Sequence, residues 1–328
     1  MSEVRAKKAL GQHFLVDLNI ARKICDALSG GVRPEAGAET RAVAAGSADA
    51  GAEARTKATG TADADAETRR GVAASADARL AADTTAAGAP AAAEEERSGA
   101  VPCDVLEVGC GMGVLTQFLL RRGDITTYGA EIDPESVEYL HAHFPEFAPR
   151  LIEGDFLKMN LRERFPRGLK IIGNFPYNIS SQIFFKVLEH RDLVPECVGM
   201  IQKEVAVRIA EPPGSKEYGI LSVLLQAWYD IEYLFTVNET VFNPPPKVKS
   251  AVIRLRRNSV GRLGCDEALF VKVVKASFGQ RRKMIRNSLR AVFGDFGGAE
   301  HPFFTQRAEQ LSVADFVQLT DWVAANRK

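Results

Sequence analysis

No stretch of the 328-residue chain approaches the roughly 18 consecutive apolar residues that a membrane-spanning helix needs, which excludes an integral helical membrane protein. The N-terminus, MSEVRAKKALGQHFL, lacks the apolar core of a secretory leader and the Arg/Ser-rich pattern of an organellar one. Cysteine is scarce and scattered, at Cys25, Cys103, Cys110, Cys197 and Cys265, with no CxxC spacing. Neither a zinc site nor a disulfide framework is indicated, and no metal is expected. A cytoplasmic protein is the resulting expectation. Residues 34–100 contain no aromatic residue and no isoleucine, and their only larger aliphatics are Val43, Val72 and Leu80. So little apolar surface does not offset the entropy of ordering the chain. Residues 30–100 therefore read as an Ala-rich, low-complexity, disordered insertion. Net charge is also lacking, since 42 Lys and Arg balance 42 Asp and Glu, but the charge is segregated. Between Lys247 and Arg290 thirteen bases face two acids, whereas residues 35–97 hold twelve acids and seven bases. A basic block of that density suits a polyanion such as nucleic acid, or else a solvated helical face.

With the insertion set aside, strands and helices alternate. An N-terminal arm (residues 1–29) carries a helix near 18–28. The core (residues 101–260) opens with a strand over 104–111 and a helix over about 113–122. A strand ending at Glu131, a helix near 135–144 and a short strand reaching Asp155 follow. The strand LKIIGN then leads to a helix whose inner stripe includes Ile183, Phe184, Val187 and Leu188. Such alternation predicts an α/β fold with a doubly wound parallel sheet. TVNETVF and KSAVIRLR read as two strands around the Pro244-Pro245-Pro246 corner. From residue 261 the pattern becomes helical, with a capping box opening the last helix at Ser312-Val-Ala-Asp315.

EVGCGMG (residues 107–113) sits where a strand turns into a helix. Glycines there permit φ > 0 and close backbone approach to a ligand, although the GxGxG spacing is not that of dinucleotide binders. Glu131, eighteen residues beyond Gly113, ends the next strand, where a carboxylate accepts both hydrogen bonds of a ribose diol. Asp155 stands beside the same crevice, placed to accept from an exocyclic adenine amine or to serve as a turn residue. Together these favour an adenosine-bearing cofactor, nicotinamide or S-adenosylmethionine. NFPY (residues 174–177) separates the two. Pro176 keeps Phe175 extended and contributes no donor, so the corner offers acceptors: the Asn174 side-chain oxygen and the Phe175 carbonyl. Two acceptors hold the two N–H bonds of an exocyclic amine and direct its lone pair at a sulfonium methyl. Tyr177 supplies a face on which an extruded base stacks. Asn174, Phe175, Pro176 and Tyr177 are thus the candidate catalytic residues.

These residues give the chain a resemblance to the ribosomal RNA adenine N6-dimethyltransferase family, closest to its small-subunit branch. The match runs through KALGQHFL (8–15), EVGCGMG, Glu131, Gly154-Asp155 and NFPYNIS (174–180). It continues through QKEVAVR (202–208), PGSKEYG (213–219), VFNPPPKVKS (241–250) and FGQRRKMIRNSL (278–289). The resemblance implies a class-I S-adenosylmethionine-dependent methyltransferase, Rossmann-like, with a small all-helical C-terminal domain (residues 261–328) that docks RNA. It implies transfer of two methyl groups to N6 of each of two adjacent adenosines near the 3′ end of small-subunit ribosomal RNA, within a precursor of the small subunit, by a monomer. By the same resemblance His13, Leu15, Gly109, Gly111, Glu131, Asp155 and Asn174 line the cofactor site. His13 stands where relatives often carry Asn, Phe175 replaces a more usual Leu or Ile, and Cys110 a frequent Pro.

The resemblance also turns the basic block toward RNA. Arg281, Arg282, Lys283, Arg286 and Arg290 recur at helical spacing, and Arg254, Arg256 and Arg257 extend the patch as phosphate contacts. Two rivals stand beside this reading. One is a large-subunit adenine methyltransferase of the resistance type, or a DNA adenine methyltransferase, against which the segments at 213–219 and 278–289 speak. The other is a non-catalytic RNA-binding assembly factor, which would have no use for Asn174, Pro176 and Tyr177 together.

Overall fold

The computed structural model describes residue 4, residues 6–30 and residues 102–327. The expected disorder of the insertion lies outside the described residues, apart from Gly30. The arm forms a 3₁₀ turn at Lys8–Leu10, a two-residue strand β1 (Phe14–Leu15) and helix α1 (Leu18–Asp26). Asp17 caps α1 by accepting from the Asn19 and Ile20 amides. The core then runs β2 (Cys103–Val108), α2 (Thr116–Leu119), β3 (Ile125–Glu131), α3 (Pro134–His143), β4 (Leu151–Glu153), α4 (Leu161–Arg164), β5 (Lys170–Asn174) and α5 (Ser180–Glu189). It continues with β6 (Glu196–Gln202), α6 (Lys203–Ala210), α7 (Ile220–Gln226), β7 (Tyr229–Val237), β8 (Phe242–Asn243) and β9 (Ser250–Arg257). Helices α8 (Glu267–Gly279), α9 (Ile285–Phe293) and α10 (Val313–Asn326) end the described chain.

Seven strands form one sheet in the order β4-β3-β2-β5-β6-β9-β7. The five from β4 to β6 are parallel, and β9 and β7 join antiparallel. Strand order runs outward from β2 in both directions, so the connections leaving β2 and β5 diverge. That divergence opens a crevice beyond their C-terminal ends. Side chains alternate between two cores, as the period of a strand requires. Leu106, Ile171 and Cys197 enter one core with α5, α7 and the last three helices. Val105, Ile172 and Val198 enter the other, which α1 covers with Ala21, Ile24 and Leu28. Leu269, Phe270 and Phe316 share the first core with Trp228 and Ile253, so packing continues across residue 261.

Several elements differ from the sequence expectation. Helix α2 is one turn long, because its predecessors Gly109, Gly111 and Gly113 all take positive φ and delay helix entry. β4 stops at Glu153, and Asp155 instead caps a 3₁₀ turn through the Leu157 amide. TVNETVF is not one strand: Thr236 and Val237 end β7, the middle forms a 3₁₀ turn at Glu239–Val241, and Phe242 opens β8. A register irregularity between Tyr233 and Phe235 breaks the period-2 pattern that would have revealed β7. Arg281, Arg282 and Lys283 lie between α8 and α9, not on a shared helical face with Arg286 and Arg290.

Candidate active site

At the end of β2 the chain turns on three glycines. Gly109, Gly111 and Gly113 have φ of 76°, 53° and 75°, a region that strains any residue with a Cβ. A Cβ on Gly113 would stand 2.4 Å from the Phe144 ring, and one on Gly111 3.1 Å from Phe14. The turn is therefore a cradle pressed between α3's C-terminal aromatic and the arm. Glu107, just before it, is 2% exposed and accepts from Thr116 Oγ1 at 2.6 Å. Burial pushes its carboxyl up to about 8, with the Glu131 charge adding to the effect.

Glu131 closes the next strand, buried, with its carboxylate receiving three main-chain donors. Gly111 N–H reaches Oε2 at 2.8 Å, and Ile132 and Asp133 N–H reach Oε1 at 2.9 Å. Burial raises its carboxyl and those three bonds oppose the rise. A carboxylate offers about four acceptor positions, so one remains for a ligand hydroxyl. Asp155 is capping residue and cavity wall at once: Oδ1 accepts from Leu157 N–H at 2.9 Å.

The arm completes the site from the opposite side. Asn174 Nδ2 donates to the His13 carbonyl at 2.9 Å, which orients the amide and leaves Oδ1 as its acceptor. His13 Nδ1 donates to the Pro244 carbonyl at 2.8 Å, and its ring lies 5.4 Å from that of Tyr177, tilted by 31°. The Tyr177 hydroxyl and Ser250 Oγ share a hydrogen bond of 2.5 Å. Burial pushes the Tyr177 phenol up, and that bond works against it. The Phe175 side chain turns the other way, into the core, edge-on to Phe184, while its amide pairs with Met200 O at 3.0 Å. β1 lies antiparallel to β8, Leu15 opposite Phe242. Lys7 and Gln12 hold the arm's other end to Asp133, the buried N-cap of α3. Burial of Asp133 alone would raise its carboxyl, but the Lys7 and Gln12 bonds outweigh it and the carboxyl falls below its usual range.

One cavity is lined by His13, Leu15, Gly109, Gly111, Glu131, Asp155, Asn174, Phe175, Pro176 and Tyr177. All the residues singled out for cofactor and catalysis thus meet. Glu107 also lines it, and Ser250 holds Tyr177 from outside; the sequence reading gave neither a role. The only local sign for Glu107 was an acid between the apolar residues Leu106 and Val108, in a strand that also carries Asp104. Ser250 gave none, being 73 residues from its partner.

The basic residues do not gather in the same way. Arg254 is committed to Glu232, at 2.6 Å, and to the Ala27 carbonyl. Arg257 donates to the Trp228 and Val260 carbonyls and lies over the Tyr229 ring, while Arg256 sits 3.7 Å from both Glu196 and Glu232. All three thus have partners within the protein, and Arg256 stays half-exposed. Arg286 and Arg290 pair with Glu300 and Asp295. Arg281, Arg282 and Lys283 are exposed, and Arg281 donates to the Tyr218 carbonyl.

Residues 102–325 match the family described as ribosomal RNA adenine dimethylase. The chain is 61% identical over 218 residues to ribosomal RNA small subunit methyltransferase A of Parabacteroides distasonis, covering 66% of this chain and 81% of that one. To the protein of the same name from Porphyromonas gingivalis it is 47% identical over 324 residues, 98% of both chains, a span that crosses residues 31–101. Among solved structures, a dimethyladenosine transferase from Plasmodium falciparum superposes with a TM-score of 0.57 at 26% identity, over 68% of this chain and 90% of that one.

Proposed function

Since the chain belongs to the ribosomal RNA adenine dimethylase family, we propose that it methylates N6 of two adjacent adenosines near the 3′ end of small-subunit ribosomal RNA, twice each. It is a class-I methyltransferase, and S-adenosylmethionine supplies the methyl group as a sulfonium electrophile. The cavity fits that cofactor. Its glycine cradle admits close backbone approach, and Glu131 keeps an acceptor position for the ribose.

One observation carries the assignment of roles. The Asn174 amide is fixed by the His13 carbonyl, so Oδ1 is the acceptor it presents, beside the Phe175 carbonyl and the Tyr177 ring. Asn174 and Phe175 orient the amine, Pro176 holds the corner extended, and Tyr177 stacks the extruded base. His13, Leu15, Gly109, Gly111, Glu131 and Asp155 hold the cofactor. The substrate is a precursor of the small subunit, and the enzyme works as a cytoplasmic monomer, with the helical segment 261–328 docking RNA through Arg281, Arg282 and Lys283. Among the described residues no helix is long and apolar enough to cross a membrane.

The test is transfer from labelled S-adenosylmethionine to unmethylated small subunits by the wild type, Asn174→Ala and Tyr177→Ala. Label recovered as N6-dimethyladenosine, lowered about tenfold or more in both variants, is the expected result. Label on large-subunit RNA alone would replace this reading with the resistance-type one. RNA binding without any transfer would leave an assembly factor.

A further inference from the structure

Pulling a nucleotide out of a helix rotates its backbone, so the phosphates on either side of the extruded base come to stand at the mouth of the pocket. Cations there have to be free of protein partners. Those in which the sequence invested most are not: Arg254, Arg286 and Arg290 are each paired with an acid. Lys203 and Lys249 differ. Both are exposed, and neither forms an ion pair with a described residue. Glu204, the acid beside Lys203, is taken by Arg208 at 2.8 Å.

Their place in the fold is as informative as their charge. Lys203 N–H donates to the Lys249 carbonyl at 2.9 Å, joining the start of α6 to the approach to β9. Their chain neighbours Gln202 and Ser250 are paired across β6 and β9. Gln202 ends a parallel strand and Ser250 begins an antiparallel one, so both lysines stand at the rim where the strand ends open into the crevice. Ser250 in turn holds the Tyr177 hydroxyl. Two uncompensated positive charges therefore sit one residue away from the frame that fixes the base-stacking ring.

We infer that Lys203 and Lys249 form a phosphate-binding rim that grips the RNA backbone flanking the target adenosine. This rests on the reaction proposed above. The rim is separate from the exposed basic turn between α8 and α9, and its role is local. It holds the strand from which the base has been drawn, through point charges that read no sequence.

The experiment measures small-subunit binding and methylation for Lys203→Ala, Lys249→Ala and the double variant, at salt concentrations from about 50 to 200 mM. Each substitution should weaken binding about threefold or more at low salt, equally for any RNA sequence. Each should also flatten the slope of log affinity against log salt by about 0.7–0.9. The rate at saturating RNA should stay within about twofold, because orientation at Asn174 is untouched. Lys203→Arg and Lys249→Arg should bind as the wild type does. Arg162→Ala, whose guanidinium is already paired with Asp192 at 2.7 Å, should leave the salt slope unchanged. Unchanged affinity and slope in both lysine variants, with the wild type active, would overturn the rim and leave the reaction standing. Lysine variants that bind more weakly, beside a wild type that transfers no methyl group, would overturn the reaction and keep the surface.

Discussion

Burial pushes the Glu107 carboxyl up to about 8, against the Thr116 hydroxyl, whose donated hydrogen bond lowers it. A folded-state value above the unfolded one means that the native protein keeps a proton the unfolded chain gives up. Its stabilising effect is complete below the ordinary carboxylate range and is lost as pH rises toward about 8. Stability should therefore fall across that window, with a slope of at most about 1.4 kcal/mol per pH unit from this group. Glu107→Gln should flatten it, as denaturant midpoints at several pH values would show. Ser250→Ala addresses the same site differently. Loss of one hydrogen bond to the Tyr177 hydroxyl should lower methyl transfer about three- to tenfold while leaving cofactor affinity intact. Tyr177→Phe should show the same loss, and the double variant no more than either. At this scale the sequence was legible where chemistry is local. Asn174 and Tyr177 announce themselves by their neighbours, whereas the His13 carbonyl that orients Asn174 is 161 residues away.

Strand β5 shows how one departure from the usual pattern is accommodated. Phe175 is fully buried because Gly173 and Gly199 leave room on β5 and β6. A Cβ on Gly199 would stand 2.5 Å from the Phe175 ring, and one on Gly173 2.5 Å from the Val108 carbonyl. Gly199→Ala should cost about 1–3 kcal/mol of stability, measurable by chemical denaturation, and Phe175→Leu should recover part of it. Gly173→Ala should not be recovered in this way, since its obstacle is backbone. Elements of this kind were readable when their signal was continuous, as in β2, β5 and α5. β7 escaped because an irregularity interrupts its alternation, and the turn at 281–283 escaped because five bases at helical spacing imitate a helix. Spacing reports periodicity; it does not report where a helix stops.

For the molecule as a whole, the stretch just before residue 31 is held with unusual firmness. Glu196 accepts from the Ser29 amide and hydroxyl, and Lys170 donates to the Ser29 and Gly30 carbonyls while pairing with Glu196 at 3.1 Å. Arg122 caps the Cys25, Leu28 and Ser29 carbonyls at the end of α1. Burial of Glu196 would raise its carboxyl, but the Ser29 bonds and the Lys170 charge hold it below its ordinary range. This contribution is present above the unfolded value and fades as pH falls through the folded one. Lys170→Met, which strands a buried carboxylate, should cost about 3–5 kcal/mol, seen as a lower denaturation midpoint. The composition that marked residues 30–100 as different gave no hint of this anchor, because its partners come from β5, β6 and α2's far end. Its consequence concerns covalent continuity. The arm supplies His13 and Leu15 to the cavity, yet its hold on the core comes from α1, β1, Lys7 and Ser29, none of which depends on the peptide bonds of residues 31–101. Severed within that interval, the two pieces should stay together through gel filtration and keep transferring methyl groups: a ready-made two-fragment enzyme.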